Sequence, residues 1–233
     1  MKQLNMAARH SLSLRTPVSL LGAIALLVAS AFFLIAAPAP GPALADVEVE
    51  ELMKEGPLPD QALGSPDAPV TVVEYASLTC SHCADFHANV YPGLKEKYIE
   101  TGKVRYILRE FPLNNQAFAA AALARCLDDK QFFPFIDALF KTQETWSCQN
   151  CNVEAELKKL WKQAGGGEEQ FKQCLDPKTN KAKLDAILAI RKRGSDEFKV
   201  DATPTLFVNG ERLTGINSIE QLDKALEPHL KGS

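Results

Sequence analysis

The feature that most constrains this chain is a pair of cysteines two residues apart, Cys80-Ser81-His82-Cys83. It stands directly after an apolar, β-branched run and directly before a helical pattern. Val70 to Val73 reads as a buried strand, and Ala84 to about Glu100 reads as a helix. Cys80 then falls at a helix N-terminus, where unpaired backbone N–H groups and the macrodipole favour negative charge. The thiolate is the reactive form of cysteine, so this position lowers the pKa of Cys80 and activates it. Cys83 lies one turn further on the same face, able to close a disulfide with Cys80 or resolve a mixed one. His82 is placed to add a hydrogen bond or a positive charge to the thiolate. Cysteines so spaced at a strand-to-helix junction form a redox motif.

A second signal lies far along the chain. Thr205 to Val208 reads as a strand, Asn209-Gly210 as a hairpin turn and Glu211 to Leu213 as the return strand. Thr203-Pro204 stands immediately before. A proline ahead of a central strand removes a ladder donor and so needs a reason. Between the two signals, Lys103 to Phe111 alternates as a strand and stops at Pro112, which makes strand, helix, strand a parallel βαβ unit. Residues 115 to about 199 then read as helical: Gln116 to Asp128, Gln131 to Thr142, Val153 to Gln163, Glu168 to Leu175 and Thr179 to Lys199. Ser218 to Leu230 closes the chain as a helix, with Ser218 as N-cap and Gln221 three residues on, a capping-box pattern.

The first 45 residues carry three of the chain's 26 Lys and Arg and none of its 29 Asp and Glu. An apolar run from Val18 to Ala37 leads to Ala43-Leu44-Ala45. Basic start, apolar run and small-x-small site read as a cleaved export signal, with an uncleaved anchor as the alternative. Asp46 to Gly56 is acidic and reads as frayed, and residues 57–69 hold a short first strand at most. The N-terminal segment, residues 46–66, is too short for an added dimerisation domain. The remainder is mildly acidic without a basic block, which excludes nucleic-acid binding. All six cysteines follow Ala45, in what would be an oxidising compartment.

Together, the export signal, Glu74-Tyr75 ahead of the Cys80–Cys83 motif, the helical stretch and Thr203-Pro204 resemble the DsbA-like thiol:disulfide oxidoreductases. The likeness covers about residues 57–231. It implies an α/β chain: a thioredoxin fold over residues 67–231, with a helical insertion at about 115–199 between its βαβ and ββα halves. It further implies a monomeric periplasmic oxidase without cofactor or metal. Such an enzyme donates the Cys80–Cys83 disulfide to newly exported protein thiols, and a DsbB-like, quinone-linked membrane protein reoxidises it. On this likeness Cys80 is the exposed nucleophile, Cys83 its buried partner and His82 the thiolate stabiliser. Pro204 is a cis-proline facing the cysteines, leaving the backbone of Thr203 to pair with an extended peptide. Glu74 matches a buried acid, a candidate proton relay. One departure stands out: the family's commonest dipeptide is Pro-His, and here it is Ser81-His82.

The other cysteines have more than one reading. Cys126 and Cys174 are expected to form a structural disulfide, with two buried free thiols as the alternative. Cys148 and Cys151 lie among polar residues between helices. They read as a clip within a loop, with a second redox pair or a zinc site shared with Cys80 and Cys83 as alternatives. His87 reads as a surface or groove residue and His229 as solvated. Trp146, Trp161 and the phenylalanines of 132–140 read as packing. Competing with the oxidase are a reductase or isomerase of the same fold, a peptide-binding chaperone module and a metal-handling protein.

Overall fold

The structure, a computed structural model, describes residues 47–231. The export signal expected over residues 1–45 lies outside them. Among the described residues no helix is long and apolar enough to cross a membrane.

Five strands form one sheet: β1 (Gln61–Leu63), β2 (Val70–Ala76), β3 (Val104–Glu110), β4 (Thr205–Val208) and β5 (Glu211–Leu213). Their order is β1-β3-β2-β4-β5. β2 and β3 run parallel, and β1, β4 and β5 each pair antiparallel with their neighbours. This is the thioredoxin core with its helical insertion. β2 lies at the centre, covered on both sides, which is why its residues are almost uniformly buried. Alternation sends Val72 and Ala76 to one face, and Val73 and Tyr75 to the other. Glu74 falls on the first face, so the fold buries a carboxylate directly beneath the redox motif.

On the opposite face, Val73, Tyr75, Ile107 and Phe207 pack with Leu52, Ile190 and Phe198. Leu52 belongs to α1 (Val49–Met53). The acidic segment is therefore ordered rather than frayed. Val47 donates its N–H to the carbonyl of Gly210 (2.9 Å), and Leu52 fills the apolar face of the sheet. Gly210 stands at φ +88°, and a Cβ there would meet the Val47 carbonyl, so the hairpin and the N-terminal segment both require glycine.

Between β2 and β3 the chain forms α2 (Ser81–Asn89), α3 (Tyr91–Leu94) and a single π-helical turn, Lys95–Ile99. The continuous helix expected to Glu100 is broken at Val90 (φ −114°, ψ −48°). Pro92 is the cause: it has no N–H to give, and its ring excludes the carbonyl four residues back.

The insertion contains α4 (Asn115–Ala124), α5 (Asp129–Lys141), α6 (Gln143–Trp146), α7 (Val153–Gln163), α8 (Glu168–Leu175) and α9 (Pro177–Asp196). Asn114, Asp128, Asn152 and Asp176 cap four of these helices by accepting backbone N–H groups. α5 buries Phe132, Phe133, Phe135, Ile136, Leu139 and Phe140. Trp146 and Trp161 are fully buried, each donating its indole N–H to a backbone carbonyl. Cys126 is bonded to Cys174, joining the end of α4 to α8. After β5, α10 (Ile219–Lys231) follows Ser218, whose hydroxyl accepts from the Gln221 N–H (3.4 Å). His229 is half-buried and bonds Glu211 (3.1 Å), rather than standing free in solvent.

Candidate active site

Cys80 is the N-cap of α2, with extended backbone angles (φ −85°, ψ 121°). Its carbonyl accepts the first helical bond, from Ala84 (3.1 Å), while its sulfur lies at the helix's open N–H end. Two side chains secure this turn. Gln143 of α6 donates to the carbonyls of Leu78 (2.8 Å) and Cys80 (3.0 Å), and Asn114 donates to the Thr79 hydroxyl (3.1 Å). The helical insertion thus holds the loop that presents the cysteine.

Across from the sulfur, the Thr203–Pro204 peptide bond is cis. The Cys80 thiol donates to the Thr203 carbonyl at 3.2 Å. The Thr203 hydroxyl is buried without another partner, so it is available to donate once Cys80 is a thiolate.

The two cysteines stand as thiols in contrasting surroundings. Cys80 is partly exposed and its pKa is lowered to about 5. The Cys83 thiol donating to it is the largest cause. Partial burial opposes the shift, while Thr203 and the backbone N–H groups of Cys83 and His82 add to it. Cys83 is fully buried, and its thiol is pushed far up by burial, by its bond to Cys80 and by the charge of Glu74. One sulfur carries charge readily and the other resists it. Ser81 and His82 are both exposed, and His82 reaches Cys80 through its backbone N–H.

Beneath Cys83, Glu74 is completely buried. Tyr106 donates its hydroxyl to Glu74 Oε2, and His87 Nε2 lies 3.2 Å from the same oxygen. His87 is buried rather than on the surface, stacked between Tyr91 (4.8 Å) and Phe140 (4.1 Å). The sequence carried a signal for this. Cys83, Phe86, His87 and Val90 recur at helical spacing, and that stripe faces the core. Gln143 went unread because its role depends on a contact 63 residues away. The remaining pair, Cys148 and Cys151, is bonded within its own loop.

The thioredoxin family model matches residues 58–228. A Rickettsia bellii chain named for protein-disulfide oxidoreductase activity is 39% identical over 173 residues, covering 72% of this chain and 65% of the relative. A Bacillus cereus chain of the disulfide bond formation protein D type is 32% identical, covering 73% and 79%. The crystal structure of Wolbachia pipientis alpha-DsbA1 superposes with a TM-score of 0.71 at 32% identity, covering 80% of this chain and 97% of that one. This chain belongs to the DsbA-like thioredoxin family. It spans between 60% and 65% of the length of the first three Rickettsia relatives it resembles. In this chain the Cys80–Cys83 pair stands at the start of the first core helix, and the cis Thr203–Pro204 bond lies opposite.

Proposed function

We propose that this DsbA-like chain is an exported thiol:disulfide oxidoreductase that acts as an oxidase. It gives its Cys80–Cys83 disulfide to the thiols of newly exported proteins in a bacterial periplasm. The observation that carries this reading is the contrast between the two sulfurs, one with its pKa at about 5 and the other buried and strongly resistant to ionisation. A client thiolate attacks the exposed sulfur of Cys80. The bond to Cys83 breaks, its electron pair goes to Cys83, and a client–Cys80 mixed disulfide forms. A second client thiolate then attacks the client sulfur of that bond and expels Cys80. The leaving group is good because its thiolate is stabilised, and the same stabilisation favours the reduced protein, making the disulfide an oxidant. The extended client pairs with the backbone of Thr203 beside cis-Pro204. A quinone-linked membrane protein of the DsbB type restores the disulfide.

The test is the reduction potential of the Cys80–Cys83 pair against glutathione, in a variant lacking Cys148 and Cys151. Dithiols of this fold range from about −270 mV in thioredoxin to about −120 mV in DsbA. A value near −120 mV is expected, and one near −180 mV would favour an isomerase. A value of about −270 mV or lower would refute disulfide donation.

A further inference from the structure

The mechanism requires a proton to enter and leave a buried place. When a client displaces Cys83, the sulfur receives an electron pair in a site with no exposure to water, and it becomes a thiol. On reoxidation that thiol must lose its proton before attacking Cys80 and expelling the partner thiolate. Glu74 lies close enough for its charge to act on Cys83, and its Oε1 has no hydrogen-bond partner. Glu74 is itself sealed from solvent, so it cannot exchange a proton directly.

The exit lies on the other side of His87. Its Nε2 faces Glu74, whereas its Nδ1 is buried without a hydrogen-bond partner. The ring lines a cavity of about 710 Å³ between α2 and the α5–α6 corner of the insertion. Asp137 of α5 also lines it, with its exposed carboxylate 4.0 Å from Nδ1. The Tyr91 hydroxyl, in the same wall, likewise lacks a partner. Both atoms are closed to water behind the cavity wall, so the exposed Asp137 carboxylate is the group through which Nδ1 can reach solvent.

We propose that His87 is the proton-carrying link between Glu74 and this cavity, with Asp137 as the exposed group that exchanges the proton with water. The inference rests on the oxidase reading. On reoxidation Glu74 takes the Cys83 proton and passes it to His87 Nε2, His87 Nδ1 gives a proton to the Asp137 carboxylate beside it, and Asp137 releases that proton to water. Reduction by a client runs the same steps backwards. His87 touches neither substrate nor sulfur, so it is a positioning residue acting through Glu74. The charged and titratable groups around it are Glu74 from β2 with Tyr106 behind it, Tyr91 from α3 and Asp137 from α5. Lys95 draws on Asp137, and Asp85 of α2, Lys141 and Glu144 line the same cavity.

Stopped-flow mixing of the reduced full chain with excess oxidised glutathione isolates the relevant step, release of the second glutathione as Cys83 attacks. His87→Gln keeps a polar partner for Glu74 but carries no proton between two nitrogens. It should slow this step by about tenfold or more at pH 7, leaving the Cys80 thiolate titration in place. His87→Ala should recover rate on addition of imidazole, which enters from the cavity. Asp137→Asn should slow the step and alter its pH profile, because the exposed carboxylate that takes the proton from His87 is gone. A His87→Gln chain with the wild-type rate and pH profile would overturn the proposal, as would slowing at every pH with no imidazole rescue of His87→Ala. Should the His87 variants fail to fold, an unchanged profile in Asp137→Asn overturns it alone. A wild-type chain that forms no mixed disulfide sinks the oxidase reading and this inference together. One that resolves it while His87→Gln keeps pace sinks only the inference.

Discussion

Cys80 and Cys83 are the same residue in two solvents. Cys80 meets donors and partial water; Cys83 meets a dry interior and a carboxylate. The sign of the resulting pH effect is fixed. The folded pKa of Cys80, about 5, lies below its ordinary value of 9.0. Ionisation therefore favours the folded, reduced chain, fully above pH 9 and progressively less as pH falls towards 5. Comparing denaturation midpoints of the reduced chain and its Cys80→Ser variant between pH 5 and 9 should show the advantage of Cys80 shrinking on acidification. A pH-independent difference would contradict the assignment. The placement of both cysteines was readable in the sequence, because helix position alone determines which sulfur meets the open N–H groups. The depth of His87 was hidden by its residue type: histidine on a core stripe looks like a surface residue until the buried acid opposite is known.

At the level of elements, boundaries followed the chemistry of their end residues. β4 and β5 begin and end where the Thr203-Pro204 and Asn209-Gly210 signals put them. The first core helix did not run its expected length, since Pro92 outweighs a continuing apolar stripe. What no local pattern shows is the joint between α6 and the redox loop. Gln143 is buried and spends its amide group on two carbonyls beside the reactive sulfur. Gln143→Ala leaves the buried Leu78 carbonyl without that partner, costing about 1–3 kcal/mol, while the Cys80 carbonyl keeps its bond from Ala84. Chemical denaturation should show this loss, and the Cys80 titration should shift with it as the loop relaxes. Unchanged stability would mean that water replaces the amide at no cost.

At the largest scale, the described residues form a sheet and a helical lobe that share a core and are bound together at several points. Arg125, at the end of α4, forms a two-pronged ion pair with buried Glu110 at the end of β3. One residue further on, Cys126 ties into Cys174. Removing that disulfide with a Cys126→Ala/Cys174→Ala double variant should cost about 2–4 kcal/mol while leaving the Cys80 titration in place. A moved titration would mean that the bond shapes the site as well as the lobe. The fold class was readable because the β2 strand, the Cys80–Cys83 motif, the β3 strand and Thr203-Pro204 follow one another in the order this fold requires. The tie between lobe and sheet was not, since ion pairs between distant helices and strands leave no periodic trace. The N-terminal segment has a geographical consequence. Val47 is fastened to Gly210, at the end of β4 remote from Pro204. Any tether running upstream, natural or engineered, is therefore anchored roughly one strand length, about 20 Å, from the reactive sulfur. The chain can be leashed from that pole while the opposite pole stays open to whatever approaches it.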